Sequence, residues 1–226
     1  MKYDGPKSVV IRSFLAAGLS LLVYPNTSSS SDFGTTGFVK MPSARMPGDG
    51  SLVSTISRDV AADIFNITFQ ATPWLETTFR YSIFNPRKLA NSKDSERDRS
   101  YEAKLMLTQE GRVIPQIAVG VRDILGTGLW EGEYVVASKK IDAIDFGLGI
   151  GWGRYSSRMT FANPLATLDS AFELRPSGRK SGGRFGGESR SKSYFRGEVG
   201  VFGGASINFP SLRSKFVIEF SSDNYS

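Results

Sequence analysis

Apolar and polar residues alternate with a period of two along most of the chain after residue 50. Phe65, Ile67 and Phe69 occupy every second position, and Asn66 and Thr68 lie between them. The same alternation recurs in the stretches 75–83, 102–108, 116–122 and 215–221. Because successive side chains on a β-strand point to opposite faces, the pattern predicts strands with one apolar and one polar face.

The stretch 146–154 alternates most sharply, because its two faces differ in size as well as in polarity. Phe146, Leu148, Ile150 and Trp152 are separated by single glycines, and Arg154 ends the run. Glycine within a strand often marks curvature or the close approach of another group. We therefore expect the glycine face to line the lumen side of a curved sheet, where it leaves room for another group.

About nine such strands, joined as successive antiparallel hairpins, are predicted between residues 51 and 226. Turns are expected at 110–111, 123–128, 140–143 and 209–211, and two long polar loops at 86–99 and 156–193. Alternating long and short connections are typical of outer-membrane barrels. The predicted fold class is all-β: an antiparallel meander that forms a transmembrane β-barrel or a partial barrel.

A soluble β-sandwich with one solvated face would show the same alternation, so other features have to separate the two folds. Charged residues and glycines on the faces opposite the apolar ones fit a watery lumen. Aromatic residues near predicted strand ends fit the interfacial girdle of a membrane barrel. The girdle candidates are Trp74, Trp130, Tyr134, Trp152 and Tyr155.

Residues 1–30 have the order of a secretory signal peptide. Lys2, Lys7 and Arg12 precede an apolar run at 14–23, and Pro25 and a serine-rich stretch follow it. The run is shorter than the roughly 20 apolar residues that a membrane-spanning helix needs. We expect a signal peptide and linker at 1–30 and a periplasmic lead-in segment at 31–50. The alternative is a short buried helix at the start of a cytosolic domain.

Composition narrows the possible chemistry. The 226 residues include no Cys and no His, which excludes a cysteine nucleophile, a Ser-His-Asp triad, a Cys/His zinc site and disulfides. We predict no metal, no cofactor and, without cysteine, no N-terminal lipid. The net charge of +6 suits anionic lipid, an acidic polymer or nucleic acid. Acidic residues are interspersed in the basic stretch 87–99, so we predict no nucleic-acid partner.

Seven charged residues are expected in or near the lumen. There they could hydrogen-bond sugar hydroxyls or hold acidic sugars through paired arginine contacts, or they could form a structural charge ladder that stiffens the interior. Glu131 and Glu133 share one strand face, as a glycosidase pair would, but such pairs are common in β-proteins, and we predict no catalytic residue. The seven candidates are Glu76, Arg80, Arg122, Asp123, Glu131, Glu133 and Arg154.

Five regions, in order along the chain, resemble the YjbH/GfcD family of bacterial exopolysaccharide and capsule proteins. The first is F-G-T-T-G-F-V-K-M-P-S-A-R-M at 33–46, and the second is P-W-L-E-T-T-F-R-Y at 73–81. The third covers 116–139, the fourth is D-F-G-L-G-I-G-W-G-R at 145–154, and the last comprises 194–204 and 219–225. Members of the family are generally longer, and this chain resembles their N-terminal part.

The resemblance implies a non-catalytic outer-membrane β-barrel protein of a Gram-negative bacterium, involved in exopolysaccharide or capsule biosynthesis and export. The expected partners are outer-membrane lipid, extracellular polysaccharide and other chains of an export system. The segment 33–46 would plug or cap the barrel, or lead into its first strand. Two alternatives stay open: a secreted soluble β-protein that binds or cleaves polysaccharide, and a truncated, non-functional fragment of a longer barrel protein.

Overall fold

A computed structural model of the chain describes residues 29–59, 62–84, 97–176 and 191–223. Nearly all of the predicted signal peptide, most of the predicted loop 86–99 and the glycine-rich part of the loop 156–193 lie outside the described residues. Helical residues in the described ranges are confined to short 3-10 turns. These turns are Gly153–Ser156, Pro164–Thr167, Ser170–Phe172, Ser191–Ser193 and Pro210–Leu212.

The described residues form one antiparallel sheet of ten strands. The strands are β1 (Leu52–Arg58), β2 (Ala62–Thr72), β3 (Leu75–Phe84), β4 (Arg97–Thr108), β5 (Gln116–Ile124), β6 (Gly132–Ile141), β7 (Ile144–Gly151), β8 (Thr160–Phe161), β9 (Val199–Phe209) and β10 (Ser214–Phe220). Nine of them lie side by side in chain order, and the short β8 pairs only with β9. The sheet is not closed, and the predicted all-β antiparallel meander is confirmed as a partial barrel.

The outer face of the sheet is apolar and its inner face is largely polar. On β2, Phe65, Ile67 and Phe69 are exposed, whereas Asn66 and Thr68 between them are buried. The strands β3, β7 and β10 alternate in the same sense. The predicted assignment of side chains to two faces is therefore confirmed along these strands.

The connections differ between the two ends of the partial barrel. One end, which we call the short-turn end, carries the connections at 73–74, 109–115, 142–143 and 210–213. The opposite end, the long-loop end, carries those at 59–61, 85–96, 125–131 and 152–198. β4 begins at Arg97, so the last residues of the predicted loop 86–99 belong to a strand. Two of the long-loop-end connections are much longer than any turn opposite them.

The prediction of an aromatic girdle is wrong for most of its members. Trp74 is half exposed, but the other four are buried: Trp130, Tyr134, Trp152 and Tyr155. Tyr134 points inward over Gly120, where a Cβ would lie 2.2 Å from the tyrosine ring. Trp130 stacks on Phe84 with ring centroids 5.4 Å apart. Aromatic rings thus fill the interior of the partial barrel. Proximity to a strand end does not reveal whether a ring lies on the inner or the outer face of the sheet.

Candidate functional site

The segment before β1 folds back into the concave side of the sheet. Residues 31–46, which we call the plug segment, contain no long strand or helix and are turned by isolated bridges. Gly34 has a φ of +87°, and a Cβ there would lie 2.5 Å from Cβ of Asn66. Only glycine fits this backbone conformation and this close approach. Most plug residues are buried, and the segment occupies the space that an open lumen would have.

Inner-face charges of β3 and β4 hold the plug backbone. Glu76 Oε1 accepts a hydrogen bond from Thr36 N at 3.0 Å and pairs with Lys104 Nζ at 3.0 Å. Lys104 also donates to the carbonyl oxygens of Thr36 at 3.2 Å and Arg45 at 2.8 Å. Buried charges are tolerated where they are paired and hydrogen-bonded. The plug therefore completes the shell of partners that this ion pair needs.

Glu102 of β4 is the centre of a second buried charge cluster. Its Oε2 accepts a hydrogen bond from Arg80 Nη2 at 2.8 Å and another from Arg122 Nε at 3.2 Å. Its Oε1 accepts one from the Tyr134 hydroxyl at 3.1 Å. All four side chains are buried. Two guanidinium groups thus share one carboxylate, which leaves an excess of positive charge around it.

Phe33 of the plug segment lies against this excess charge. Its ring centroid is 4.3 Å from Arg122 Cζ and 5.2 Å from Arg80 Cζ. Its carbonyl oxygen accepts a hydrogen bond from Arg80 Nη2 at 2.6 Å, and its ring meets Trp130 edge-on at 5.0 Å. A desolvated cation over an aromatic face gains about 2 kcal/mol. The cluster therefore binds Phe33 through both its ring and its backbone.

Arg45 fixes the other end of the plug segment at the short-turn end. Its Nη2 lies 2.7 Å from Asp145, and its Nη1 donates to Glu110 and, at 3.0 Å, to Gln116. Burial lowers the pKa of Arg45, but hydrogen bonds to Asp145 and Glu110 outweigh it and raise the pKa. Burial raises the pKa of Glu110, but hydrogen bonds from the Lys140 backbone and Arg45 outweigh it and lower the pKa. Both groups therefore stay charged near neutral pH.

The glycine face of β7 and the last strand also contact the plug segment. A Cβ on Gly147 would lie 2.6 Å from the ring of Phe38, and one on Gly204 would lie 2.9 Å from it. The expectation that the glycine face lines the interior and receives another group is therefore confirmed. On β10, Glu219 Oε2 accepts backbone hydrogen bonds, at 2.8–2.9 Å, from Val39, Lys40 and Met41.

The seven charged residues predicted for the lumen separate into two groups. Glu76, Arg80 and Arg122 point into the interior, where they contact the plug segment or the cluster around it, and all three are buried. The other four surround the connections at the long-loop end. They are Asp123, Glu131, Glu133 and Arg154.

Glu131 and Glu133 bind residues of the long connection 152–198. Arg175 pairs with Glu131 at 2.8 Å and with Glu133 at 2.8 Å, and Phe195 N donates to Glu133 at 2.8 Å. Because side chains alternate along β6, Glu133 points to the face opposite the inward-facing Tyr134. Burial lowers the pKa of Arg175, but its hydrogen bond and charge pairing with Glu133 outweigh it and raise the pKa.

Asp123 and Arg154 hold the neighbouring connections. Asp123, at the end of β5, has a φ of 64°, and its Oδ2 accepts a hydrogen bond from Trp130 N at 2.9 Å. Arg154 pairs with Asp223 at 3.0 Å, and its guanidinium lies 5.0 Å from the centroid of the Trp130 ring. Both residues thus order the long-loop end around one buried tryptophan.

Sequence reasoning did not select three residues at the centre of the site. Glu102 and Lys104 lie on the polar side of the alternating stretch 102–108, so their inward direction was available from the pattern. Phe33 lies in a segment without periodicity, and no local signal indicated that its ring would meet two arginines. Pairing across strands requires the register of the sheet, which a single strand does not reveal.

The described residues give no sign of two other kinds of site. They contain no group of three or more Asp and Glu side chains placed to hold a metal ion. No helix within the described ranges is long and apolar enough to cross a membrane. The interior charges instead bind groups of the plug segment.

These features define a plugged partial β-barrel, in which an apolar outer face surrounds buried charges and a segment of the chain itself. The chain belongs to the YjbH family, described as "Exopolysaccharide biosynthesis protein YbjH", which matches residues 29–226. The resemblance inferred from the sequence is therefore confirmed.

One curated relative is the "Uncharacterized lipoprotein YjbH" of Escherichia coli (strain K12), which is 34% identical over 224 residues. The alignment covers 94% of this chain and 32% of the relative, so the chain spans about a third of the relative's length. No solved structure matches the chain.

Proposed function

We propose that the chain forms part of the wall of an outer-membrane β-barrel that assists exopolysaccharide biosynthesis and export. The observation that carries the proposal is the distribution of side chains, apolar outside and charged inside. Leu148, Phe216 and Ile218 are 65%, 63% and 62% exposed on the outer face. Such a large apolar surface is unfavourable in water and favourable against lipid, and a polar interior is typical of outer-membrane barrels.

The family description and the relative's name support a place in the Gram-negative envelope. The description refers to exopolysaccharide biosynthesis, and the name refers to a lipoprotein. Outer-membrane barrels have short periplasmic turns and longer extracellular loops. We therefore place the short-turn end in the periplasm and the long-loop end outside. The proposed partners are outer-membrane lipid, extracellular polysaccharide and other chains of an export system.

The plug segment closes the polar path, and we propose that a polysaccharide takes its place during export. Several interior charges bind peptide groups of the plug, among them Glu76 at the N–H of Thr36 and Arg80 at the carbonyl oxygen of Phe33. Sugar hydroxyls donate and accept hydrogen bonds as peptide groups do. A hydroxyl-rich chain can therefore replace the plug without leaving buried charges unpaired. Export along this path would then be passive, because polar groups of the polysaccharide only exchange places with those of the plug.

The proposed role is non-catalytic. Glycoside hydrolysis needs one carboxylic acid and one carboxylate that face the bond between two sugars. The paired carboxylates of Glu131 and Glu133 instead share the guanidinium of Arg175. The ion pairs occupy both carboxylates, and the pair holds the connection at the long-loop end.

Complementation of a strain that lacks the chain tests the proposal. We expect the native chain to restore extracellular polysaccharide, to fractionate with the outer membrane and to change its gel mobility on boiling. A chain found in the soluble fraction with mobility unaffected by boiling would contradict the membrane role. Correct membrane assembly without any effect on extracellular polysaccharide would contradict the role in export.

A reversible lock tests displacement of the plug. Ala44 N lies 2.9 Å from Ser138 Oγ on β6, and the chain has no cysteine of its own. In the double variant Ala44→Cys/Ser138→Cys, we expect oxidation to lower export and dithiothreitol to restore it. The single variant Ser138→Cys is the control and should respond to neither reagent. Normal export by a fully oxidised double variant would show that the plug stays in place.

A further inference from the structure

Two buried aspartates bind the connection 125–131 at the long-loop end. Asp98 lies on the inner face of β4, and its Oδ1 accepts a hydrogen bond from Thr127 N at 3.0 Å. Asp123, at the end of β5, accepts one from Trp130 N through Oδ2 at 2.9 Å. Each carboxylate thus uses one oxygen to hold the backbone. The second oxygens, Asp98 Oδ2 and Asp123 Oδ1, are buried and have no hydrogen-bond partner among the described residues.

Two serine hydroxyls lie in the same region of the interior. Ser82 of β3 is directly opposite Asp98 in the sheet, and Ser100 follows two residues later on the same inner face of β4. A Cβ on Gly126 would lie 1.7 Å from Asp123 Oδ1 and 2.8 Å from Cβ of Ser100, so the connection brings Asp123 close to Ser100. The two serines are 0% and 1% exposed, and neither hydroxyl has a hydrogen-bond partner within the described ranges.

The neighbouring guanidinium groups do not neutralise both aspartates. Arg80 lies near Asp123, but its Nη2 donates to Glu102 and to the Phe33 carbonyl oxygen, and its other nitrogens bind neither aspartate. Together with Glu102, the two aspartates place three carboxylates beside two guanidinium groups, those of Arg80 and Arg122. One negative charge in this described part of the interior therefore lacks a counter-charge. A buried carboxylate is very unfavourable in that state, so the aspartates need either a shared proton or a bound cation.

We propose that these two aspartates and two serines bind a calcium ion. A proton shared by the aspartates would satisfy the carboxylates alone, whereas a cation can bind the hydroxyl oxygens as well. Calcium takes about six to eight oxygen ligands in a flexible arrangement and accepts water among them. The two carboxylates supply the negative charge, and the hydroxyls and water supply neutral ligands. The ion would join β3, β4 and the end of β5 beneath the connection 125–131.

This site is not of the kind that composition or clustered acidic residues reveal. The prediction of no metal rested on the absence of Cys and His, and calcium needs neither. The site has only two carboxylates, whereas a group of three or more acidic ligands is not found among the described residues. The proposed function places the long-loop end outside the cell, where calcium modules bind with dissociation constants of about 0.1–1 mM. We expect an affinity in that range, and this expectation alone rests on the proposed orientation.

Terbium luminescence of the chain in detergent micelles tests the site. Tb³⁺ replaces Ca²⁺ at oxygen sites and emits when a nearby tryptophan is excited, and Trp130 N binds Asp123 directly. We expect the native chain to give this emission and excess Ca²⁺ to remove it. Asp98→Asn and Asp123→Asn keep an oxygen for the backbone N–H groups and should weaken terbium binding by about tenfold or more. The control is the exposed Glu173→Gln. Absence of emission from the native chain, or equal binding by all variants, would overturn the proposal.

The unfolding midpoint separates a bound cation from a shared proton. A ligand that binds only the folded state stabilises it, so Ca²⁺ at about 10 mM should raise the midpoint of the native chain above its value in EDTA. We expect a smaller rise in Ser100→Ala, which keeps both carboxylates, and no rise in Asp123→Asn. A native midpoint that calcium leaves unchanged would show that the aspartates share a proton, and the proposal would be wrong. Heat-modifiable mobility verifies that each variant is folded, and neither measurement involves export.

Discussion

A single carboxylate balances most of the charge at the centre of this molecule. Glu102 faces two buried guanidinium groups, those of Arg80 and Arg122, and both of them also contact Phe33 of the plug. Removal of one partner from a buried ion pair costs far more than the pair contributes, because the other charge stays buried without compensation. The interior is therefore most sensitive to substitution at Glu102, the carboxylate that two buried cations share.

Glu102→Gln removes this anion while keeping the size and the hydrogen-bonding oxygen of the side chain. We expect the free energy of unfolding to fall by about 3–5 kcal/mol, because two buried cations lose their counter-charge. Guanidinium titration of the micelle-bound protein measures the change. The matched control is Glu173→Gln, at an exposed position, with an expected change within about 0.5 kcal/mol. Equal effects of the two substitutions would contradict the central role of Glu102.

Gly147→Ala tests the contact between the glycine face and the plug segment. The added Cβ would lie 2.6 Å from the buried ring of Phe38, so the ring has to move. We expect a loss of about 1–3 kcal/mol, the usual cost of overpacking a dense interior, and faster proteolysis within the plug segment. Gly111→Ala is the control, because its Cβ would have nothing within 4 Å. An unchanged rate of proteolysis would show that Phe38 does not hold the plug.

The plug segment shows what sequence patterns miss at the scale of whole elements. The strands follow from their period-two alternation, because each strand's own residues determine which side faces outward and which faces the interior. The plug has no period, and its position depends on contacts with distant residues such as Glu76, Lys104 and Glu219. Plugging was only one of the alternatives that the sequence left open. The described parts of the connection 152–198 contain short 3-10 turns and β8, which polar composition alone did not predict.

Acid should weaken the attachment of the plug at the short-turn end. The pKa of Glu110 lies below its ordinary value of 4.5, so its carboxylate stabilises the folded state above that value and loses this effect as the pH falls. We expect Glu110→Gln to lower the unfolding midpoint at pH 7. The difference from the native chain should shrink as the pH falls through 4.5 and vanish once the pH lies below the lowered pKa of Glu110. Midpoints measured across this range provide the test. A difference that stays constant would exclude the carboxylate charge as the cause.

At the scale of the whole molecule, the sequence predicted the sheet better than it predicted the groups that fill the interior of the sheet. Alternation at Phe65–Phe69 and Phe146–Trp152 gave the antiparallel meander, its apolar exterior and its inward glycines, because these depend on neighbours along the chain. The inward rings of Trp130 and Tyr134 were assigned to the exterior, because nothing local distinguishes a ring that fills a lumen from one that meets a lipid headgroup. The order in which the described strands pair also depends on contacts between distant residues, which no single stretch reveals.

The proposed function depends most on whether the outer face is surrounded by lipid or by water. A single charge introduced on that face tests which of the two is present. Leu148 lies within β7, is 65% exposed and points away from the plug. In lipid, Leu148→Lys should destabilise the folded barrel by about 2–4 kcal/mol, because the ammonium group would lie near the bilayer midplane. Val113→Lys, in the connection 109–115 and 84% exposed, should change it by less than about 0.5 kcal/mol. Folding into phospholipid vesicles measures the stability of both variants.

In a water-soluble sandwich, a lysine at residue 148 would be solvated and would leave the stability unchanged. Equal stability of the two variants would therefore remove the case for a membrane wall, whereas the expected difference assigns the apolar face to lipid.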